Sequence, residues 1–123
     1  MNHSEFNFYC SSLPSVTHVV QWGNSEVWKV GGKVFAIGTK SKQGDDAYTF
    51  KVSERNFHFL RESEGYIPAP YFASRGMLWI QMIESVTPRD EELKYYLSES
   101  YRLVVAGLSK KARETLGLTI STE

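Results

Sequence analysis

The sequence predicts an α+β fold, one antiparallel sheet packed against helices, in the order helix, three strands, helix, two strands, helix. Three stretches carry this prediction. Val27-Trp28-Lys29-Val30-Gly31-Gly32-Lys33-Val34-Phe35-Ala36-Ile37 reads as two strands joined by a two-residue turn, because glycine enters φ > 0 without a Cβ penalty and hairpin turns need that freedom. Tyr48, Phe50 and Val52 alternate with Ala47, Thr49 and Lys51, the period of a strand. Leu93, Tyr96, Leu97, Tyr101, Val104, Val105 and Leu108 recur at three and four, the wide apolar stripe of a helix packed on a core.

Taken in order, the first helix is expected to start at Ser4 and to present Phe6, Tyr9, Cys10 and Leu13. Pro14 ends it, since proline disfavours α geometry in the residue before it. Ser15 to Asn24 reads as a loop leading to the hairpin. With Val30 and Lys33 flanking the turn, Trp28 falls opposite Phe35. One face then carries Trp28, Val30, Phe35 and Ile37, and the other Val27, Lys29, Val34 and Ala36. A polar loop after Ile37 leads to the third strand, Ala47 to Val52. Ser53 is an N-cap for a second helix of about ten residues, with Phe57 and Leu60 inward and Gly65 past its end. Ile67-Pro68-Ala69-Pro70 is extended or turned. Tyr71 to Ala73 forms a short fourth strand, residues 74–77 a tight turn, and Leu78 to Ile83 a fifth strand. In that strand Leu78, Ile80 and Met82 share one face, and Trp79, Gln81 and Ile83 the other. The last helix begins with Thr87 as N-cap and Pro88 as first residue. Acidic Asp90, Glu91 and Glu92 follow at its positive end, and the helix runs to a terminator at Gly117.

A length of 123 residues fits one domain, read as residues 1–117 with a tail at 118–123. The composition is 41% hydrophobic and 14% aromatic, which argues against a disordered chain. Fourteen basic residues balance fourteen acidic ones, so overall charge points to neither nucleic acid nor membrane. Cys10 is the single cysteine and has no intramolecular partner, as suits a reducing compartment. No run approaches the length of a membrane span, and Met-Asn-His-Ser-Glu lacks the basic and apolar regions of a signal peptide. A cytoplasmic protein without membrane association is the expectation.

Several stretches together resemble the MmcQ/YjbR-like family. They are Leu13-Pro14-Ser15-Val16-Thr17, Gln21-Trp22-Gly23-Asn24, the Val27 to Ala36 hairpin, Phe50-Lys51-Val52-Ser53, Gly65-Tyr66-Ile67-Pro68-Ala69-Pro70-Tyr71, Trp79, and Glu99-Ser100-Tyr101-Arg102-Leu103-Val104. No single motif is specific; their order along nearly the whole chain is. The resemblance implies the same helix and strand order, a DNA-binding-like fold with β-hairpin wings, and a likeness to type III secretion chaperones. It does not bring a defined biochemical role, and fold alone does not settle one. The chain departs from the family where many members carry Met-Asn-Lys-X-His-Trp before the fifth strand. Ala73-Ser74-Arg75-Gly76-Met77-Leu78-Trp79 keeps the tryptophan and lacks the Asn-Lys pair and the histidine. Arg75 restores a positive charge at that turn, and no role resting on the histidine carries over.

Residues 29–51 hold five lysines against two aspartates. Lys29, Lys33, Lys40, Lys42 and Lys51, with Arg75, are the candidate nucleic-acid contacts, and DNA is the candidate ligand: a few cations on phosphates give salt-sensitive, largely sequence-independent binding. The plainer reading is a solvated edge whose lysines guard against aggregation. The alternative is a protein or peptide interaction module, with Trp22, Tyr71 and Trp79 in an aromatic groove that also suits a small ligand. Trp28 and Tyr101 read as core. Enzyme chemistry is not expected. His3, His18 and His58 share no ligand spacing with one another or with Cys10, so no metal or cofactor is expected, and Cys10 sits on an apolar stripe as an inert thiol.

Overall fold

The computed structural model describes residues 1–83 and 89–118. Its elements are α1 (His3–Ser11), β1 (Val16–Gln21), β2 (Ser25–Val30), β3 (Lys33–Lys40), β4 (Asp46–Lys51), α2 (Glu54–Leu60), β5 (Tyr66–Pro68), β6 (Trp79–Ile83), α3 (Asp90–Ala106) and α4 (Lys110–Leu116), with one 3-10 turn at Ala73–Arg75. The six strands form one antiparallel sheet in the order β1-β2-β3-β4-β6-β5. The α+β class holds, and several local expectations are corrected.

The first correction is β1, expected as loop. It is an edge strand of β-prone residues whose largely exposed side chains blur the alternation that marks a half-buried strand. The second concerns the short fourth strand, which is Tyr66–Pro68 rather than Tyr71 to Ala73. The Ala69 amide still donates to the Trp79 carbonyl at 2.9 Å, and residues 70–76 then turn. The third lies in the last helix, which breaks after Ala106. The hydroxyl of Ser109 accepts from the Ala112 amide and starts α4. Gly117 then terminates α4 at φ 71°, as expected. The expected cap at Thr87 and Pro88 lies outside the described residues. The first helix is capped two residues earlier than Ser4: Asn2 accepts from the Glu5 amide at 2.8 Å while Glu5 accepts from the Asn2 amide at 2.9 Å. Ser53 caps α2 as expected, although that helix has seven residues.

The fourth correction sets the faces of the sheet. Val30 pairs with Lys33 around Gly31-Gly32 as predicted, but the register shifts, so that Trp28 lies opposite Ala36, not Phe35. Phe35 is the extra residue of a β-bulge. Ala36 thereby joins Trp28 on the helix-facing side, and Ile37 moves to the other. Ser100 of α3, fully buried, holds the bulge. Its hydroxyl donates to the Phe35 carbonyl at 2.6 Å and accepts the Lys51 amide at 2.8 Å.

The main core fills the helix-facing side. Phe6 and Cys10 of α1, Leu60 of α2 and Leu93, Leu97 and Val104 of α3 pack on Trp28, Phe35, Tyr48, Phe50, Ile80 and Met82. Trp28 is core as expected, and its indole N–H donates to Asn7 of α1 at 2.8 Å. Tyr101 packs at the margin of the core, half-buried, with its hydroxyl donating to the Pro14 carbonyl. Burial pushes the Cys10 thiol above its ordinary 9.0. Burial, and then donation to the Glu92 carboxylate, push the Tyr66 phenol above its ordinary 10.0. Both groups are held neutral by the fold. Their contribution to stability is therefore full below the unfolded values and declines as pH rises past them. Urea unfolding should show stability falling progressively above about pH 9, and a rise there would contradict this packing.

Candidate functional site

The side of the sheet turned away from the helices is the functional candidate. One row across it runs Val19, Val27, Ile37, Thr49, Gln81 and Ile67, by strand register. Against this face lies a cleft of about 510 Å³, within the usual size of small-ligand sites. Its floor combines Ile37 with four polar side chains, Ser25, Thr39, Thr49 and Gln81. Its walls are Trp22 from the β1–β2 turn and Pro70, Tyr71 and Phe72 from the β5–β6 connection.

Local backbone geometry places these walls. Trp22, Gly23 and Asn24 all have positive φ (52°, 71° and 68°), which turns the chain sharply between the strands. The Ser25 hydroxyl donates to the Trp22 carbonyl at 3.0 Å and lies 3.2 Å from Thr39 Oγ1. Tyr71 has φ 74°, and the Phe72 amide donates across it to the Pro70 carbonyl at 2.9 Å. This is a γ-turn of the rare positive-φ form, a strained arrangement for any residue with a side chain. Tyr71 is nevertheless 61% exposed and Trp22 58% exposed. The Arg75 guanidinium lies 4.7 Å from the centre of the Tyr71 ring. None of the residues lining the cleft is charged.

Two of the three aromatic candidates thus meet across one cleft. The third, Trp79, is 5% exposed and stacked beneath Phe72 with ring centres 5.0 Å apart, so it supports the wall from below. Sequence reasoning missed Phe72 and the polar floor. The available signal was Thr49 and Gln81, polar residues at the middle of two strands on the face opposite the core.

The cationic candidates divide into groups. Lys29 pairs in register with Val34. Lys33 and Lys51 line a second cleft, about 380 Å³, with Val34, Met77 and Trp79. These three lysines occupy the Gly31-Gly32 end of the sheet. Lys40 sits at the other end of β3, seven residues and about 23 Å from Lys33 by strand rise, where it is paired with Asp46. Lys42 is exposed in the following loop, and Arg75 stands at the rim of the aromatic cleft. Among the described residues no group of three or more His, Cys, Asp or Glu is placed to hold a metal ion, and no helix is long and apolar enough to cross a membrane.

Comparison with known proteins agrees with this architecture. The YjbR family model matches residues 11–103. A crystal structure of a Deinococcus radiodurans protein with a DUF419 domain is similar, with TM-score 0.82 and 23% identity, over 99% of this chain and 92% of that one. A Pseudomonas syringae protein of known structure is similar with TM-score 0.69 and 18% identity, over 84% of this chain and 98% of that one. No curated protein matches the sequence. With the matched stretch covering most of the length and the same strands and helices in place, the chain belongs to the YjbR family.

Proposed function

We propose that the protein is a binding module rather than a catalyst, and that its ligand surface is the cleft between Trp22 and Tyr71. One observation carries this reading: two large aromatic residues, both at positive φ and both more than half exposed, form opposite walls of a single cleft. Backbone strain of this kind costs about 1–3 kcal/mol per residue. Side chains left mostly in water gain little burial to offset it. A ligand enclosed by both rings would. The ligand classes that fit are a peptide segment or a small planar molecule. The test is an amide-resolved NMR titration with indole, with a capped proline-rich tripeptide and with small heterocycles. Shifts confined to Trp22, Thr49, Tyr71, Phe72 and Gln81 support the site; shifts elsewhere, or none at millimolar probe, overturn it.

A second reading is favoured by the grouping of Lys29, Lys33 and Lys51 at the Gly31-Gly32 end, where three cations can meet a phosphate backbone. Each phosphate neutralised adds about 0.9 to the slope of log affinity on log salt. Duplex DNA bound there should show a slope near −2.7, and Lys33→Glu or Lys51→Glu should weaken it. Lys40→Glu should leave it unchanged, because Lys40 stands apart and is paired with Asp46. A salt-independent affinity, or equal effects of all three substitutions, would count against contact at this end.

A further inference from the structure

We infer that the cleft takes a nucleotide, its base held between Trp22 and Tyr71 against the Gln81 amide and its phosphate turned to Arg75. This rests on the cleft being the ligand site. The decisive group is Gln81, at the centre of β6 and 8% exposed. Its one hydrogen bond among the described residues is from Nε2 to Thr49 Oγ1, at 3.4 Å. One N–H and the carbonyl oxygen of the amide remain without protein partners, in a side chain that lines the cleft. The carbonyl oxygen is not sealed from solvent, since no buried side-chain polar atom among the described residues lacks a partner, so a ligand that matches the amide replaces water there. Such a ligand presents a donor and an acceptor side by side in one plane.

Nucleobases carry such edges, and glutamine pairs with them in two hydrogen bonds. An extended peptide residue offers a similar pair, its own N–H and C=O on one side, so the walls and the rim are what favour a base. The walls agree with a flat ring, because aromatic side chains stack on bases whatever their sequence. Arg75, beside the cleft, has no carboxylate partner among the described residues and rests on the Tyr71 ring, so an anionic substituent leaving the cleft beside Tyr71 would meet it. The uncharged floor places the ring inside and the charge outside.

Free nucleotides and unpaired bases of a single strand share this chemistry. The experiment titrates labelled protein with adenosine monophosphate, adenosine, benzoate and the oligonucleotide dA4, following cleft amides and the Trp22 indole. Adenosine monophosphate should shift these signals, and adenosine should bind about fourfold more weakly, the worth of an exposed ion pair. Arg75→Ala should weaken adenosine monophosphate to the adenosine level and leave adenosine unchanged. Gln81→Leu should cost the base about tenfold and leave benzoate unaffected. Tighter binding of dA4 assigns the site to single strands, and equal binding to free nucleotides. If benzoate or indole shifts the cleft and no nucleotide does, the nucleotide inference fails while the cleft remains a ligand site. If no probe shifts it, both fail.

Discussion

Ser100→Ala should destabilise the protein by about 3 kcal/mol and lower its melting temperature by roughly 10 °C. The substitution removes a single oxygen and leaves almost no cavity, so its effect is one of hydrogen bonding. The Ser100 hydroxyl satisfies the Phe35 carbonyl and the Lys51 amide together, just past the last β3–β4 pair, Ala36 with Phe50, and beside the bulge between β2 and β3. Both backbone groups would be left buried without partners, and each unsatisfied group costs about 1–3 kcal/mol. Urea unfolding measures the loss, and a cost under about 1 kcal/mol would mean that water or a shifted strand replaces the hydroxyl.

Phe6→Ala should cost more, about 4 kcal/mol, as large-to-small changes at fully buried aromatic sites do. Phe6 is the ring by which α1 seats on the sheet. It is fully buried, lies 4.9 Å from the Tyr48 ring, and covers Gly38. A Cβ on Gly38 would stand 2.8 Å from Phe6 Cε2, which neither ring nor strand can accommodate without moving. Gly38→Ala alone should therefore cost about 1–3 kcal/mol by overpacking. Placed on Phe6→Ala it should cost much less, because the cavity accepts the methyl group. The two residues are in contact, and a coupling near 2 kcal/mol is the expected outcome of the double-mutant cycle. Strict additivity would show that α1 does not pack through this pair.

What was legible in the sequence was local. The Gly31-Gly32 turn, the Ser53 cap, the α3 stripe as far as Val105 and the Gly117 stop each depend on neighbours within a few residues, and these stand as read. The bulge at Phe35 was not legible, because its cause is a serine sixty-five residues away. Its consequence was large, since it exchanges Ala36 and Ile37 between the two sides of the sheet. The edge strand β1 was obscured by exposure on both faces. At the candidate site, Trp22 and Tyr71 stood out as aromatics beside turn residues. Their shared cleft depends on positive φ at two non-glycine positions and on a polar floor assembled from four strands, none of which periodicity reports.

On the proposed function, Trp22 and Tyr71 are held in strained, exposed positions for a ligand and not for the fold. Thermal and urea unfolding of the Trp22→Gly, Tyr71→Gly double variant separate the two roles. Glycine adopts both backbone conformations freely, and its greater freedom in the unfolded chain offsets part of the relief. The expected result is a stability equal to the parent or up to about 1 kcal/mol higher, together with loss of binding by every probe that shifts the cleft. A loss of 2 kcal/mol or more would show that the two aromatics hold the fold together, and would contradict the assignment of the cleft.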